Sequence, residues 1–156
     1  MKQSIFLILH NIRSLYNIGS IFRCADAFGV EKIYLTGYSA YPVHRQIEKI
    51  AKTALGAEHS VPWEYFQRTS SVISQLKKQG VAIVSLEIDK KAEPIQLYKL
   101  HSSVAIIVGN EVKGISKNIL DRSDEILYIP QKGKKESLNV SQATSIALYA
   151  LNAQRK

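Results

Sequence analysis

The sequence predicts an α/β protein with a mostly parallel sheet and helices on both faces of that sheet. Continuous runs of Val, Ile and Leu alternate along the chain with segments of helical periodicity, a pattern typical of parallel strands buried on both faces. The 156 residues, 46% of them hydrophobic, suffice for one sizeable core and are too few for two ordinary domains. We therefore expect residues 1–156 to form a single domain.

Local patterns predict the individual elements in chain order. Apolar runs predict five strands, over 4–9, 32–36, 81–86, 104–108 and 126–129. Apolar residues at helical spacing predict a first helix that ends before Gly29, and two further helices over 71–79 and 140–154. The stretch 41–56 is polar, and we predict no element for it.

The first and last helices each have more than one face that is suited to burial. Opposite the apolar stripe of the first helix lie small residues and one arginine: Gly19, Ser20, Arg23 and Ala27. The last helix is apolar nearly all round, with Val140, Ala143, Ala147, Ala150 and Leu151 in one stripe and Ile146, Leu148 and Tyr149 outside it. Such helices are buried on more than one side, so we expect a homodimer built on these two helices. The alternative is that they cover each other inside one chain.

Composition excludes several classes of protein. No apolar stretch approaches the ~20 residues that a membrane-spanning helix needs. The opening apolar run is interrupted by His10 and Arg13 and lacks a small-residue cleavage site, so we interpret it as a buried strand and not as a signal peptide. The single cysteine, Cys24, excludes an internal disulfide framework and suits a reducing compartment. We expect a soluble, cytoplasmic protein.

The charge of the chain favours a polyanionic partner. The formal net charge is +8 and the pI is near 9.6, an excess that attracts nucleic acid through the field of the whole protein. The alternative is a basic but indifferent surface. Basic residues cluster at three places, namely Lys132, Lys134 and Lys135, then Arg45, Lys49 and Lys52, and the terminal pair Arg155 and Lys156.

Three segments combine glycine, asparagine and ionisable residues at predicted strand ends, where open α/β sheets bind their ligands. In the first segment, 11–23, we predict Asn17 as the N-cap of the first helix. Arg23 follows in the second turn, where the helix dipole does not favour a cation, so it serves a function or is simply tolerated on the surface.

The second segment, 108–116, runs from a strand into a turn bracketed by Gly109 and Gly114. A phosphate-binding loop of the Walker type would need Lys at position 115, which is Ile, so that interpretation fails. Glycines without a dinucleotide fingerprint suggest close backbone approach to a flat ligand. The alternative is an ordinary strand-to-helix turn capped by Asn110.

The third segment, 129–141, is a basic loop that leads into the last helix. Three capping residue types crowd at the start of that helix, Ser137, Asn139 and Ser141. One cap suffices for a helix, so the surplus polar groups suggest a site.

Together the three segments resemble the signature motifs of the TrmH (SpoU) family of the SPOUT methyltransferases. The matching patterns are N-x-x-x-x-x-R at 17–23, G-N-E-x-x-G-I-S at 109–116 and I-P-x-x-G-x-x-x-S-L-N-V-S at 129–141. They occur in the family's order and extend over nearly the whole chain. Each segment alone has an ordinary structural explanation, but their joint occurrence favours the family.

The resemblance implies a fold and a cofactor. It implies that the C-terminal segment is threaded into a deep trefoil knot, an exception to the usual rule against knots, and that the protein is a dimer. It implies S-adenosylmethionine, with S-adenosylhomocysteine as product and no metal, held largely by backbone groups of three loops. The corresponding cofactor residues are Ser85, Leu86, Glu87, Gly109, Asn110, Ile129, Gly133, Ser137 and Leu138.

The resemblance also implies a reaction, methylation of a ribose 2'-hydroxyl in structured RNA. Arg23 is then the catalytic residue that orients an RNA phosphate, and the phosphate takes the proton or lowers the pKa of the hydroxyl, because arginine is itself a weak base. The residues that would position Arg23, ribose and cofactor are Asn17, Glu111, Ser137 and Asn139.

The family often carries an additional RNA-binding domain, whereas we expect 1–156 to be one SPOUT domain without a separate one. RNA would then be bound by basic residues of the domain itself, Arg13, Arg45, Lys132, Lys134 and Lys135. Transfer RNA is slightly favoured over ribosomal RNA as the substrate. Two alternatives stay open, a non-catalytic RNA-binding module that keeps the fold and methylation of a substrate other than RNA.

Overall fold

The computed structural model describes residues 2–156 and has seven strands in that range. In chain order they are β1 (Ile5–His10), β2 (Lys32–Thr36), β3 (Trp63–Phe66), β4 (Ala82–Leu86), β5 (Glu93–Pro94), β6 (Val104–Gly109) and β7 (Glu125–Tyr128).

Six α-helices connect the strands in the described range, together with a short 3-10 helix at Ile95–Leu97. The α-helices are α1 (Leu15–Ala27), α2 (His44–Ala54), α3 (Ala57–Ser60), α4 (Thr69–Lys78), α5 (Lys117–Arg122) and α6 (Val140–Asn152). None of them is long and apolar enough to cross a bilayer.

All seven strands run parallel in a single sheet, in the order β3-β2-β1-β6-β4-β7-β5. The chain first builds the half β1, β2 and β3, and then returns to place β6 between β1 and β4. The strand β7 enters between β4 and β5. This order is compatible with the predicted C-terminal knot, which stays a prediction. Successive strands are added on one side of β1 up to β3 and on the other side from β4 onward, so the strand order reverses at the boundary between β1 and β6.

Hydrophobic cores lie on both faces of the sheet. Neighbouring residues of β1 point to opposite faces, so Leu7 and Leu9 pack with α1, α2 and α6, whereas Ile8 packs with α4 and α5. All three side chains are fully buried, which stabilises the fold by roughly 1.5–3 kcal/mol for each one removed from water. The predicted α/β class with helices on both faces is confirmed.

The predicted strands and helices are present, with bounds shifted by at most two residues except at the start of the first helix. The stretch 41–56 is the main omission, since it contains α2, whose Ile47, Ile50 and Ala54 follow helical spacing among charged residues. The short elements β3, β5, α3 and α5 were not predicted either. They lie at the edges of the sheet or in connections, and each is only two to six residues long, too short to show a clear periodicity.

The prediction that Asn17 caps the first helix is wrong. Helix α1 begins three residues earlier than that cap would allow, and Ser14 is its N-cap, with the Ser14 hydroxyl accepting from the Asn17 backbone N–H at 3.2 Å. Ser14 and Asn17 are both good capping types, and long-range contacts decide between them. The Asn17 side chain is left free to act elsewhere.

The small residues of α1 make room for another backbone, as expected, but at Gly19 that backbone belongs to the same chain. A Cβ on Gly19 would lie 2.3 Å from the carbonyl oxygen of Ile50 in α2. Helices α1 and α6 also pack on each other, with Cys24 Sγ 3.2 Å from Ser145 Oγ. The alternative that these helices cover each other within one chain therefore accounts for part of their apolar surface.

Candidate active site

A cleft of about 850 Å³ opens at the carboxyl ends of β4, β6 and β7. Its walls are built from the loop after β4, the turn after β6 and the segment between β7 and α6. Leu86 at the end of β4, Gly109 at the end of β6 and Ile129 directly after β7 all line it. Ligands of open α/β sheets bind at this edge, next to the reversal point of the strand order. We refer to this cavity as the cleft throughout.

A group of polar side chains from three distant segments meets at one side of the cleft. The Glu111 carboxylate accepts from the backbone N–H of Ser14 at 3.1 Å and from the Asn17 side-chain amide at 3.4 Å. The amide of Asn139 donates to Asn17 Oδ1 at 3.1 Å. Asn17, Glu111 and Asn139 all line the cleft. The first, second and third motifs are thus joined by direct hydrogen bonds.

The position of Glu111 has a local electrostatic reason. Its carboxylate lies at the N-terminus of α1, where free backbone amides and the helix dipole favour a negative charge. The preceding residue, Asn110, holds the turn, because its Oδ1 accepts from the N–H groups of Val112 at 2.9 Å and Lys113 at 2.8 Å. Asn110 therefore caps a turn, as one alternative expected, but the helix that follows begins only at Lys117.

A second carboxylate fastens the opposite wall of the cleft. Glu87 accepts from the backbone N–H of Ile115 at 2.9 Å and from that of Ile88 at 3.0 Å. The backbone at Gly114 has φ +66°, and a Cβ there would lie 2.3 Å from Glu87 Oε2. Only glycine allows both this conformation and this contact. Glu87 thus ties the loop after β4 to the turn after β6.

The third motif supplies the exposed lip of the cleft. Asn139 is the N-cap of α6, with its Oδ1 accepting from the Ser141 N–H at 2.9 Å. Because one amide side chain both caps α6 and bonds Asn17, the start of α6 is fixed against α1. Ser137 and Leu138 precede this cap, are exposed and line the cleft.

Three of the residues that the sequence placed in the site do not line the cleft. Ser85 is fully buried in β4, where its hydroxyl lies 2.6 Å from the hydroxyl of Ser123. Gly133 is exposed in the basic loop, outside the cleft lining. Arg23 is exposed on α1, also outside that lining. The other predicted catalytic and cofactor residues all line the cleft, namely Asn17, Leu86, Glu87, Gly109, Asn110, Glu111, Ile129, Ser137, Leu138 and Asn139.

The predicted RNA-binding residues are all exposed. Lys132, Lys134 and Lys135 lie in the loop between β7 and α6, close in sequence to the cleft lip. Arg45 lies in the first turn of α2. Arg13 lies immediately before the N-cap of α1, and its backbone N–H is 3.4 Å from Glu111. The terminal Arg155, by contrast, donates to the carbonyls of Phe28 and Gly29 and fastens the end of the chain to the end of α1.

Sequence reasoning missed a charged rim of the cleft. Lys117 and Asp121 form an ion pair at 2.8 Å, and both line the cleft together with Asp89 and Lys91. The hydrogen bond from Lys117 lowers the pKa of the Asp121 carboxyl, and the same bond raises the pKa of Lys117. The spacing of four residues on one helix face could have indicated this pair from the sequence.

The cleft offers apolar walls, backbone polar groups and several carboxylates. Leu86, Ile129 and Leu138 can contact a flat apolar ring, while Glu87 and Glu111 provide negative charge. Such a set suits a ligand with an aromatic base and a cationic centre. No group of three His, Cys, Asp or Glu side chains with metal-site geometry occurs in the part of the chain that the structure describes.

The fold and the cleft define an open α/β protein that binds its ligand beyond the carboxyl ends of its parallel strands. Residues 4–149 match the sequence profile of the SpoU rRNA Methylase family. The chain belongs to this family, and the resemblance drawn from its three motifs is confirmed.

Individual relatives agree with the family. The chain is 33% identical over 153 residues to the 23S rRNA (guanosine-2'-O-)-methyltransferase RlmB of Coxiella burnetii, covering 98% of this chain and 60% of that protein. The TrmH/SpoU tRNA modifying enzyme of A. aeolicus superposes with a TM-score of 0.86 and 26% identity, over 98% of this chain and 76% of the other. The AdoMet-bound rRNA methyltransferase of Sinorhizobium meliloti has the same fold, with a TM-score of 0.90, 24% identity and coverage of 98% and 57%.

Proposed function

We propose that this chain transfers a methyl group from S-adenosylmethionine to a ribose 2'-hydroxyl of structured RNA. The observation that carries the proposal is the hydrogen-bonded group Asn17, Glu111 and Asn139, which joins segments 94 and 122 residues apart at the cleft. The RNA methyltransferases named among the relatives support the same reaction class. The chain spans 60% of the length of its Coxiella burnetii relative, so the activity of that whole protein is only proposed for this chain.

The cleft fits S-adenosylmethionine. Glu87 and the turn at Gly114 hold two of its walls at a fixed separation, and the apolar side chains Leu86, Ile129 and Leu138 can enclose an adenine ring. When bound, S-adenosylmethionine supplies an electrophilic methyl group. The carboxylates that line the cleft favour the positive charge of such a ligand, and exclusion of water by the apolar wall strengthens that interaction. Ser85, buried in β4, and Gly133, exposed in the basic loop, do not line the cleft, so any contact they make to the cofactor would be through the backbone.

Arg23 is the residue that would orient the substrate. Its planar guanidinium can hold an RNA phosphate through two parallel hydrogen bonds and so align the 2'-hydroxyl, whose proton passes to that phosphate. Asn17, Glu111 and Asn139 fix the start of α1, the helix that carries Arg23. Ser137 on the lip of the cleft is free to contact the ribose.

The exposed position of Arg23 is best explained by a homodimer in which it reaches the cleft of the partner. The faces of α1 and α6 still expose Tyr16 (53%), Ile146 (42%) and Tyr149 (68%), and a second copy would cover this apolar surface. In that arrangement one subunit would contribute Arg23 and the other the group Asn17, Glu111 and Asn139.

Complementation between two inactive variants tests this arrangement. Arg23→Ala removes the arginine, and Glu87→Ala removes a carboxylate of the cleft that does not bond α1, so each variant alone should transfer no methyl groups. After subunit exchange, a mixture in equal amounts should recover about a quarter of wild-type activity, because half of the dimers are mixed and each has one complete site. Mixed dimers without activity would show that Arg23 does not act across the interface.

RNA binding is proposed on the net charge of +8 and on the exposed lysines beside the cleft. Contacts to phosphate dominate such binding, so the logarithm of the association constant for RNA should fall linearly with the logarithm of the salt concentration. Lys134→Gln should reduce that slope by about 0.7–0.9, the contribution of one phosphate contact. Lys78→Gln at the end of α4 is the matched control and should leave the slope unchanged. A slope of zero for the wild-type protein would refute phosphate-based binding.

A labelling experiment separates the proposed reaction from its alternatives. The protein is incubated with bulk RNA and radiolabelled S-adenosylmethionine, and the RNA is digested to nucleosides. Label in 2'-O-methylated nucleosides supports the proposal, whereas RNA binding without label indicates a non-catalytic module. Fractionating the RNA first tests our preference for transfer RNA over ribosomal RNA, which rests on the family resemblance alone. The cytoplasmic location expected from the single cysteine stays a prediction.

A further inference from the structure

An exposed tyrosine is stacked against an arginine beside the cleft. Tyr38 follows β2 in the chain and exposes 50% of its surface. The guanidinium carbon of Arg13 lies over its ring, 5.5 Å from the ring centroid. Within residues 2–156 Arg13 forms no ion pair with an acidic side chain, so its charge is not used in a salt bridge. The pair therefore presents an aromatic surface and a positive charge together.

The backbone under Tyr38 is firmly held, although its ring is not packed in a core. The Tyr38 N–H donates to Asn11 Oδ1 at 3.1 Å, and the Tyr65 hydroxyl donates to the carbonyl of Gly37 at 2.6 Å. On the other side, the Ser39 hydroxyl donates to the carbonyl of Leu9 at 2.8 Å. A ring on such a rigid support loses little conformational entropy on binding a ligand.

The stack is connected to the cleft through one carboxylate. Arg13 and Ser14 both direct their backbone N–H groups to Glu111, which lines the cleft and bonds Asn17. The side chain of Arg13 extends from this contact to the ring of Tyr38. A polymer whose reacting group enters the cleft would therefore have its neighbouring units close to Tyr38.

We propose that the Arg13–Tyr38 stack binds an unpaired nucleobase adjacent to the ribose that enters the cleft. This inference rests on the proposed function, which makes the polymer RNA. Every nucleobase has a π-face that stacks on an aromatic ring, and the guanidinium next to that ring attracts the adjoining phosphate. The excess of positive charge on the chain favours a polyanion such as RNA over a neutral or basic peptide surface as the occupant.

The test compares two strands that differ only in their bases. One is a short oligoadenylate with a single 2-aminopurine, and the other is an abasic strand with the same number of phosphates. The wild-type protein should bind the base-bearing strand about fivefold or more tightly than the abasic one, the range expected for stacking of one base. Binding should also quench the 2-aminopurine fluorescence.

Two substitutions at one position isolate the ring. Tyr38→Leu keeps the apolar bulk but removes the π-face, so the affinity ratio should fall to about one and the quenching should disappear. Tyr38→Phe keeps the π-face and should retain both. Melting temperature and affinity for S-adenosylhomocysteine, measured for Tyr38→Leu, report whether the substitution merely disturbs the fold.

Three results would overturn the proposal. The first is equal binding of the two strands by the wild-type protein, as expected if Tyr38 contacts another protein. The second is an unchanged affinity ratio in Tyr38→Leu. The third is a lowered melting temperature in Tyr38→Leu with the same loss of affinity for both strands, which would make Tyr38 a structural residue.

Failure of the proposed function has a different signature. Ribose methylation of bulk RNA that persists while the base-bearing strand shows no preference would overturn only the role of the stack. Base preference without methyl transfer would contradict the proposed reaction and leave the stacking site in place.

Discussion

The two halves of the carboxyl edge of the sheet differ in how their polar side chains are satisfied. At the ends of β4, β6 and β7 the edge opens into the cleft of about 850 Å³. At the ends of β1, β2 and β3 lies a smaller pocket of about 260 Å³, lined by His10, Asn11 and Thr69 among others. Both halves carry polar residues at strand ends, yet only the half at β4, β6 and β7 combines a cavity of cofactor size with exposed polar side chains that line it.

In the half formed by β1, β2 and β3 the polar groups bond one another. His10 Nδ1 lies 2.7 Å from the hydroxyl of Thr69, which lies 2.6 Å from the hydroxyl of Thr36. All three residues are buried, and Ser39 next to them donates to the carbonyl of Leu9. These hydrogen bonds attach α4 to the sheet and leave none of the three side chains available to a ligand. Leaving a buried polar atom without a partner would lower the stability of the fold.

In the half formed by β4, β6 and β7 the polar groups retain exposed surface. Glu111 and Asn139 are exposed and line the cleft, although each already has hydrogen-bond partners. Carboxylate and amide oxygens have further lone pairs available for a ligand. The comparison teaches that a polar residue at a strand end indicates a site only when its neighbours leave part of it unsatisfied.

The largest expected effect is on the reaction itself. Arg23→Lys keeps the positive charge but loses the planar fork, so the rate of methyl transfer should fall about 100-fold or more. Affinity for S-adenosylhomocysteine, measured by calorimetry, should not change, because the proposed partner of Arg23 is the RNA phosphate and not the cofactor. Arg122→Lys, on the exposed part of α5, is the matched control. Full activity in Arg23→Lys would contradict the assigned role.

The next effect is on stability in the closed half of the edge. Thr69→Val preserves shape but leaves His10 and Thr36 with fewer partners, so the free energy of unfolding should fall by about 1–3 kcal/mol. Urea unfolding measures this change, with Ser71→Ala on the exposed face of α4 as control. Affinity for S-adenosylhomocysteine should stay the same. A loss of that affinity would mean that the two halves of the edge are not independent.

A smaller effect is expected at the turn that closes the cleft. Gly114→Ala should cost about 1–2 kcal/mol of stability for its left-handed backbone, and it should also displace Glu87. We expect about a tenfold loss of affinity for S-adenosylhomocysteine, comparable to one weakened hydrogen bond to a charged group. Gly80→Ala has a similar positive φ with no atom within 4 Å, so it reports the backbone cost alone. Equal affinity losses in the two variants would rule out a role for Glu87.

The smallest effect is a dependence of stability on pH. Burial lowers the pKa of His10 below its usual value of 6.5, so between the two pKa values the unfolded chain binds more protons than the folded one. The contribution of His10 is therefore complete above pH 6.5 and is lost as pH falls towards the folded pKa. Urea unfolding is measured about one pH unit above and about one pH unit below 6.5. The free energy of unfolding should change less between these two conditions in His10→Gln than in the wild type. The exposed His101→Gln should behave as the wild type, and an identical change in both variants would exclude His10.

Much of the fold could be predicted from the sequence because burial leaves a strong local pattern. Parallel strands between two layers of helices are apolar on both faces, and β2 is predicted over the residues that it occupies. Helix α2 carries a one-sided apolar stripe at helical spacing, but its charged face makes the stretch polar overall, and on that average we predicted no element there. Short elements such as β3 and α5 depend on their neighbours for stability and leave little periodicity in the sequence.

What the sequence by itself determined are the residue types of the site and their order, since Asn17, Glu111 and Asn139 are set by motifs. Tertiary structure alone decided which of these side chains meet and which residues near them do not take part. The Ser85 hydroxyl lies against that of Ser123, and Gly19 packs against the backbone of α2. The N-cap of α1 is Ser14 and not Asn17. The physical reason is that each outcome depends on contacts between segments far apart in the chain, whose geometry exists only after the sheet has formed.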